Sequence, residues 1–232
     1  MDTSTRAETQ SVTIPLPASG AVLHGDLTLP SGSRGMVLFA HGSGSSRMSP
    51  RNRMVAARLQ DAGFGTLLVD LLPAHEANLD EMTGQYRFDI GLLAERLTAV
   101  TRWLLAQPAA VGLPLGYFGA STGAAAALVA SARQPGVIGA IVSRGGRPDL
   151  AGAMLRRVTA PTLLIVGGSD EAVMRLNRSA LGELAASHKE LLTVAGATHL
   201  FEEPGALERV AELARGWFAR YLRQPEGAGR SA

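Results

Sequence analysis

The sequence predicts an α/β protein built on a mostly parallel sheet of about eight strands, with helices on both faces and no large lid domain. Three observations carry this. Short apolar runs recur at 35–40, 66–72, 114–119, 137–143, 161–167 and 190–196. Segments with helical spacing or helix-forming composition lie between most of them, an alternation that only a parallel sheet covered on both sides accommodates. The 232 residues, 46% hydrophobic and 18% charged, suffice for one core and fall within the range of one domain.

Taken in order, residues 1–10 are polar and read as a flexible tail. SVTIPL (11–16) and AVLHGDLTL (21–29) read as two strands joined by Pro-Ala-Ser-Gly. GMVLFA (35–40) is a buried strand running into His41-Gly42-Ser43-Gly44. Residues 51–62 follow with helical spacing, and TLLVDLL (66–72) is the next strand. The stretch 73–87 shows no apolar period and is predicted as a loop covering a pocket or lying on the surface. Residues 88–106 form an amphipathic helix with Leu92, Leu93, Leu97, Val100 and Leu104 on one side. PLGYFG (114–119) is a strand leading into an Ala-rich helix from Ser121 to about 132. A strand at 137–143, a short helix at 148–157, a strand at 161–167 and a helix at 171–186 come next. The strand at 190–196 and a helix at 203–222 close a single domain spanning 11–223, with 224–232 as a second flexible tail.

Composition narrows the function. The formal net charge is +2, with arginine almost replacing lysine (Lys189 is the one lysine), so no nucleic-acid partner is indicated. The absence of cysteine excludes disulfides, a thiolate nucleophile and cysteine metal sites. No apolar run approaches the roughly 20 residues of a membrane span, and no secretory leader is evident, so a soluble cytoplasmic protein is expected. No metal and no cofactor is expected, and a monomer or homodimer is equally compatible.

The chemistry centres on Gly119-Ala120-Ser121-Thr122-Gly123. A bare Gly-x-Ser-x-Gly arises by chance about 0.2 times in such a chain, and a glycine-rich turn packing a helix onto a sheet would look similar. Its setting, an apolar strand before and an Ala-rich helix after, is what a nucleophile elbow requires. A serine hydroxyl needs a base, and the base an orienting acid, here in the chain order Ser, acid, His. His199, in Gly-Ala-Thr-His-Leu-Phe just past the last strand, is the candidate base. Asp170, past the strand at 161–167, is the candidate acid, a position that equally suits an N-cap. The oxyanion of a tetrahedral intermediate needs two N–H donors; Thr122 and, from the glycine-rich loop, Ser43 are expected to supply them. No Gly-Lys-Ser/Thr follows that loop, which argues against a nucleotide phosphate cradle.

The strings HGSGSSRMSPRNR, GYFGASTGAAAAL, PTLLIVGGSDEAV and GATHLFEEPGAL together resemble the α/β-hydrolase superfamily, and within it the dienelactone-hydrolase-like family of small, lidless members. The resemblance runs from the strand at 35 to the helix ending near 222. It implies Ser121 as nucleophile, Asp170 as acid, His199 as base, and Ser43 and Thr122 as oxyanion donors. Dienelactone hydrolases proper use a cysteine nucleophile, so the resemblance here implies a serine esterase acting on a small-molecule ester. Arg144 and Arg147, after the strand at 137–143, and Arg47, near the glycine-rich loop, are candidates for binding a substrate carboxylate or phosphate. A lactonase, thioesterase or amidase would use the same residues, and a non-catalytic binding protein on this fold is the alternative of a different class.

Overall fold

The computed structural model describes residues 7–16 and 19–223. Eight strands form one sheet: β1 (Thr9–Leu16), β2 (Ala21–Thr28), β3 (Met36–Ala40), β4 (Gly65–Val69), β5 (Leu115–Ala120), β6 (Ile138–Arg144), β7 (Thr162–Gly167) and β8 (Lys189–Val194). Their spatial order is β1-β2-β4-β3-β5-β6-β7-β8. β1 and β2 form an antiparallel hairpin and β2 lies antiparallel to β4, whereas all later pairings are parallel. Six α-helices accompany them among the described residues: α1 (Pro50–Asp61), α2 (Ala74–Thr83), α3 (Ile90–Leu105), α4 (Thr122–Arg133), α5 (Glu171–Glu183) and α6 (Ala206–Tyr221).

Strands β3, β4, β5 and β7 are buried along their whole lengths, which explains why they read as continuous apolar runs instead of alternating ones. One face packs under α3, α4 and α5, with Leu97, Val100 and Leu128 against Leu38, Leu67 and Tyr117. The other lies under α1 and α6, where Val55, Leu59, Val210 and Phe218 enclose Phe39 and Phe118. Each large apolar side chain buried this fully contributes about 1.5–3 kcal/mol. β3 is the pivot of the topology. The chain leaves it through α1 to β4 on one side, then crosses to β5 on the other, so the loops after β3 and β5 diverge around a crevice at the carboxyl edge.

Four expectations are corrected. Residues 9 and 10 belong to β1, paired with Thr28 and Leu27, and are not tail. The 73–87 loop contains α2, whose residues lack an apolar stripe because the one side chain it buries is a carboxylate, Asp80. A left-handed Gly84 (φ 68°) ends the helix. The strand expected to reach 72 stops at Val69, because the Leu71 N–H is taken by the His41 imidazole at 3.1 Å. The helix at 148–157 is 3₁₀ in character and broken at Gly152 (φ 52°, ψ −137°). The tail readings for 1–6 and 224–232, and the first half of the Pro-Ala-Ser-Gly turn, fall outside the described residues.

Candidate active site

Ser121 sits between β5 and α4 with φ 50° and ψ −121°, a conformation costly for any residue with a side chain. The flanking glycines make it attainable. A Cβ at Gly119 would come within 2.8 Å of the Ala124 nitrogen, and one at Gly123 would run into the carbonyls of Ala40 and His41. The turn is also tied across the sheet: Ser121 N–H donates to the Arg144 carbonyl (3.2 Å), and Arg147 N–H donates to the Ser121 carbonyl (3.1 Å). Ser121 occupies the N-cap of α4, at a positive helix end, yet its hydroxyl makes no capping bond.

His199 and Asp170 are brought together from separate strand ends. The Nδ1–H of His199 donates to Asp170 Oδ2 at 2.7 Å, with the aspartate side chain 14% exposed and the imidazole 39%. That bond assigns the proton to Nδ1 and leaves Nε2 as a basic lone pair. Asp170 Oδ1 accepts the Val173 N–H at 3.3 Å, so the carboxylate also caps α5. The His199 ring is seated against the turn after β6: a Cβ at Gly145 would lie 3.5 Å from His199 Cε1 and 3.1 Å from its carbonyl. Two residues beyond His199, Phe201 has φ 58°, a second strained non-glycine position beside the site.

The loop after β3 is anchored from below. Arg47 N–H donates to Asp70 Oδ1 at 2.7 Å, and its guanidinium pairs with Asp70 Oδ2 and, at 3.4 Å, with Asp26; Arg53 adds a 2.9 Å pair to Asp26. Burial alone would lower the Arg47 pKa, but Asp70 and then Asp26 outweigh it and raise the pKa. His41 is held neutral, its Nε2 accepting from Leu71 N–H and its Nδ1–H donating to the Gly42 carbonyl at 2.9 Å. Removal from water lowers its pKa, against the opposing pulls of Gly42 and Asp70. Ser43 N–H donates to Thr122 Oγ1 at 2.9 Å, so the two residues expected to supply oxyanion donors meet, and one donor is already engaged by the other residue's hydroxyl.

Beside Ser43 and Thr122 opens a cavity of about 410 Å³, walled by Leu71, Leu72, Ala77, Asp80, Arg87 and Leu93. Asp80 fastens this wall: it accepts from the Tyr86 and Arg87 amides at 2.7 and 2.9 Å and from Arg87 Nε at 2.9 Å. Burial would raise its pKa, but these bonds overcome burial and lower it. Ala77, Asp80 and Arg87 lie in the stretch 73–87 that the sequence left as a pocket cover or a surface loop, and the sequence singled out none of the six as a wall residue. Ala, Glu, Leu and Met in AHEANLDEMT, closed by a glycine, were the available helix signal.

Of the three candidate arginines, Arg147 is clasped by Asp149 through two bonds of 2.9 and 2.8 Å, and Arg47 by Asp26 and Asp70. Arg144 differs: only 8% exposed, it has no carboxylate partner among the described residues. Among the described residues no group of His, Cys, Asp and Glu suits a metal ion, and no helix is long and apolar enough to cross a membrane.

Comparison with known proteins adds the following. No family model matches the chain. The crystal structure of a dienelactone hydrolase from Anabaena variabilis is 54% identical, with a TM-score of 0.91, over 94% of this chain and 100% of that one. Est1E from Butyrivibrio proteoclasticus shares the fold at 16% identity and a TM-score of 0.74, over 90% and 98% of the two chains. A Mycobacterium tuberculosis protein provisionally named a phosphoribosyl transferase is 55% identical over 223 residues, 96% of this chain. The chain spans about half the length (48%) of that curated relative.

Proposed function

Because the chain belongs to the dienelactone-hydrolase-like family of α/β hydrolases, we propose that this hydrolase is a serine esterase that cleaves small esters through an acyl-enzyme formed on Ser121. The observation that carries the reading is the pairing of a strained, uncapped Ser121 with a His199–Asp170 bond of 2.7 Å at the same sheet edge. In the first half-reaction His199 Nε2 takes the Ser121 proton as Oγ attacks the acyl carbon. The resulting imidazolium is stabilised by Asp170 and returns the proton to the departing alcohol as the ester C–O bond breaks. Water, deprotonated by the same nitrogen, then attacks the acyl-serine and releases the acid and Ser121.

The developing oxyanion is held by the Thr122 N–H, at the start of α4, and by the Ser43 N–H, which exchanges Thr122 Oγ1 for the stronger, charged acceptor. The cavity under α2 receives one substituent of the ester. The transferase name of the Mycobacterium tuberculosis relative attaches to a chain about twice as long, and that name is not carried over to this chain. Labelling by a fluorophosphonate and turnover of p-nitrophenyl butyrate, both lost in Ser121→Ala, test the reading. Undiminished turnover in that variant would refute it, and a panel of lactones, thioesters and amides ranks the substrates.

A further inference from the structure

Helix α5 carries Asp170 at its N-cap and, two turns on, Asn177, which is 0% exposed. Asparagine is a poor helix former, and burying its amide is costly wherever a polar atom goes unbonded. Here Oδ1 is sealed from solvent without a hydrogen-bond partner among the described residues. An apolar side chain would avoid that cost. What the amide supplies instead is Nδ2, which donates to the Val173 carbonyl one turn back at 2.8 Å and across to the Gly146 carbonyl at 2.9 Å.

Both acceptors are tied to the site. Val173 is the residue whose N–H is held by Asp170 Oδ1 at 3.3 Å. The Gly146 carbonyl shares one planar peptide unit with the Arg147 N–H, which donates to the Ser121 carbonyl at 3.1 Å. A hydrogen bond accepted at one end of a peptide unit strengthens the one donated at the other. A chain of bonds thus runs from Asp170 through Val173, Asn177 and the Gly146–Arg147 peptide to Ser121, by a route that bypasses His199.

The same turn meets the base. Gly145 N–H donates to the Ile165 carbonyl at 2.8 Å, and its left-handed backbone (φ 51°) lies against the His199 ring. A Cβ at Gly146 would collide with Ser143 Oγ, so the turn is packed from below as well. We propose that Asn177 is a positioning residue, which sets the strained Ser121 turn in register with the Asp170–His199 pair by orienting the Gly146–Arg147 peptide. The inference rests on Ser121, Asp170 and His199 being the catalytic centre.

The test compares wild type, Asn177→Ala, Asn177→Ser and, as a control for lost stability, Thr101→Val. Asn177→Ala removes both bonds. Asn177→Ser keeps a hydroxyl that can bond the Val173 carbonyl but is too short to reach Gly146. Thr101→Val removes a fully buried hydroxyl that bonds the Leu97 carbonyl at 2.8 Å and Tyr117 Oη at 2.6 Å, away from the triad. All three variants are expected to melt below wild type. With p-nitrophenyl butyrate, measured well below the melting temperatures, both Asn177 variants are expected to lose about 10- to 100-fold in kcat with KM within about twofold of wild type, the signature of misplaced reacting groups. Fluorophosphonate labelling of Ser121 should slow in step, and Thr101→Val should keep both rates. If the folded Asn177 variants stay within about threefold of wild-type kcat, or raise KM alone, Asn177 only stabilises the fold and the proposal is overturned. An equal loss of kcat in Thr101→Val overturns it too, since activity would then follow stability. If Asn177→Ala does not fold, Asn177→Ser decides; if neither folds, the bond serves folding and the proposal fails. Each of these outcomes leaves the esterase reading standing, whereas missing label on folded wild type overturns that reading and the positioning role with it.

Discussion

Asp170 carries two loads that one pair of substitutions separates. Oδ2 accepts from His199 at 2.7 Å, and Oδ1 caps α5 through Val173 N–H at 3.3 Å. Asp170→Asn keeps a good N-cap acceptor but cannot hold the imidazole in the same tautomer through a charged bond. The expected loss in kcat is about 10³- to 10⁴-fold, or about 4–5.5 kcal/mol of transition-state stabilisation. With His199 39% exposed, solvent replaces part of the lost stabilisation and the lower end is expected. Stability should barely change in Asp170→Asn. Asp170→Ala removes both loads, adding about 1 kcal/mol of lost capping, or about 2–4 °C in melting temperature for a domain of this size. Steady-state kinetics on p-nitrophenyl butyrate and thermal melts of the three proteins check this. If Asp170→Asn keeps more than about a tenth of wild-type kcat, Asp170 is a cap and not the orienting acid. If both variants melt alike well below wild type, the capping argument is wrong.

Gly123→Ala is expected to destabilise by at least about 1–3 kcal/mol, since its Cβ meets the Ala40 and His41 carbonyls and these cannot move without shifting β3; a lowered urea midpoint with turnover reduced in the folded fraction is the readout. Arg47→Met leaves Asp26 and Asp70 facing each other under the glycine-rich loop, and with Arg47 28% exposed the expected cost is about 1–3 kcal/mol, together with a fall in kcat from a loosened Ser43 amide. His41 is kept neutral in the folded chain with its pKa below the ordinary 6.5, so the unfolded chain takes up its proton first as pH falls. Its contribution to stability is therefore intact above about 6.5 and lost between there and the lower folded value. Melting temperatures across this window should fall less steeply in His41→Gln than in wild type, and equal slopes would show that His41 is not responsible.

The strand–helix alternation was legible because continuous apolar runs are what strands buried on both faces look like. The glycines at 119 and 123 were equally legible, since a sharp turn pressed against β3 leaves no room for a Cβ. So was the order of Ser121, Asp170 and His199 along the chain. α2 was not, because a helix whose one buried side chain is a carboxylate has no apolar period to read. Nor could spacing separate the arginines. Arg47, Arg144 and Arg147 look alike in the sequence, but whether each meets a carboxylate depends on strands 20 or more residues away, or on how one turn folds back. Sequence by itself determined which residue types stand at the ends of which strands. Only the tertiary structure decided which charges are paired and which are left buried without a partner, because pairing is set by distance across the sheet and not by distance along the chain.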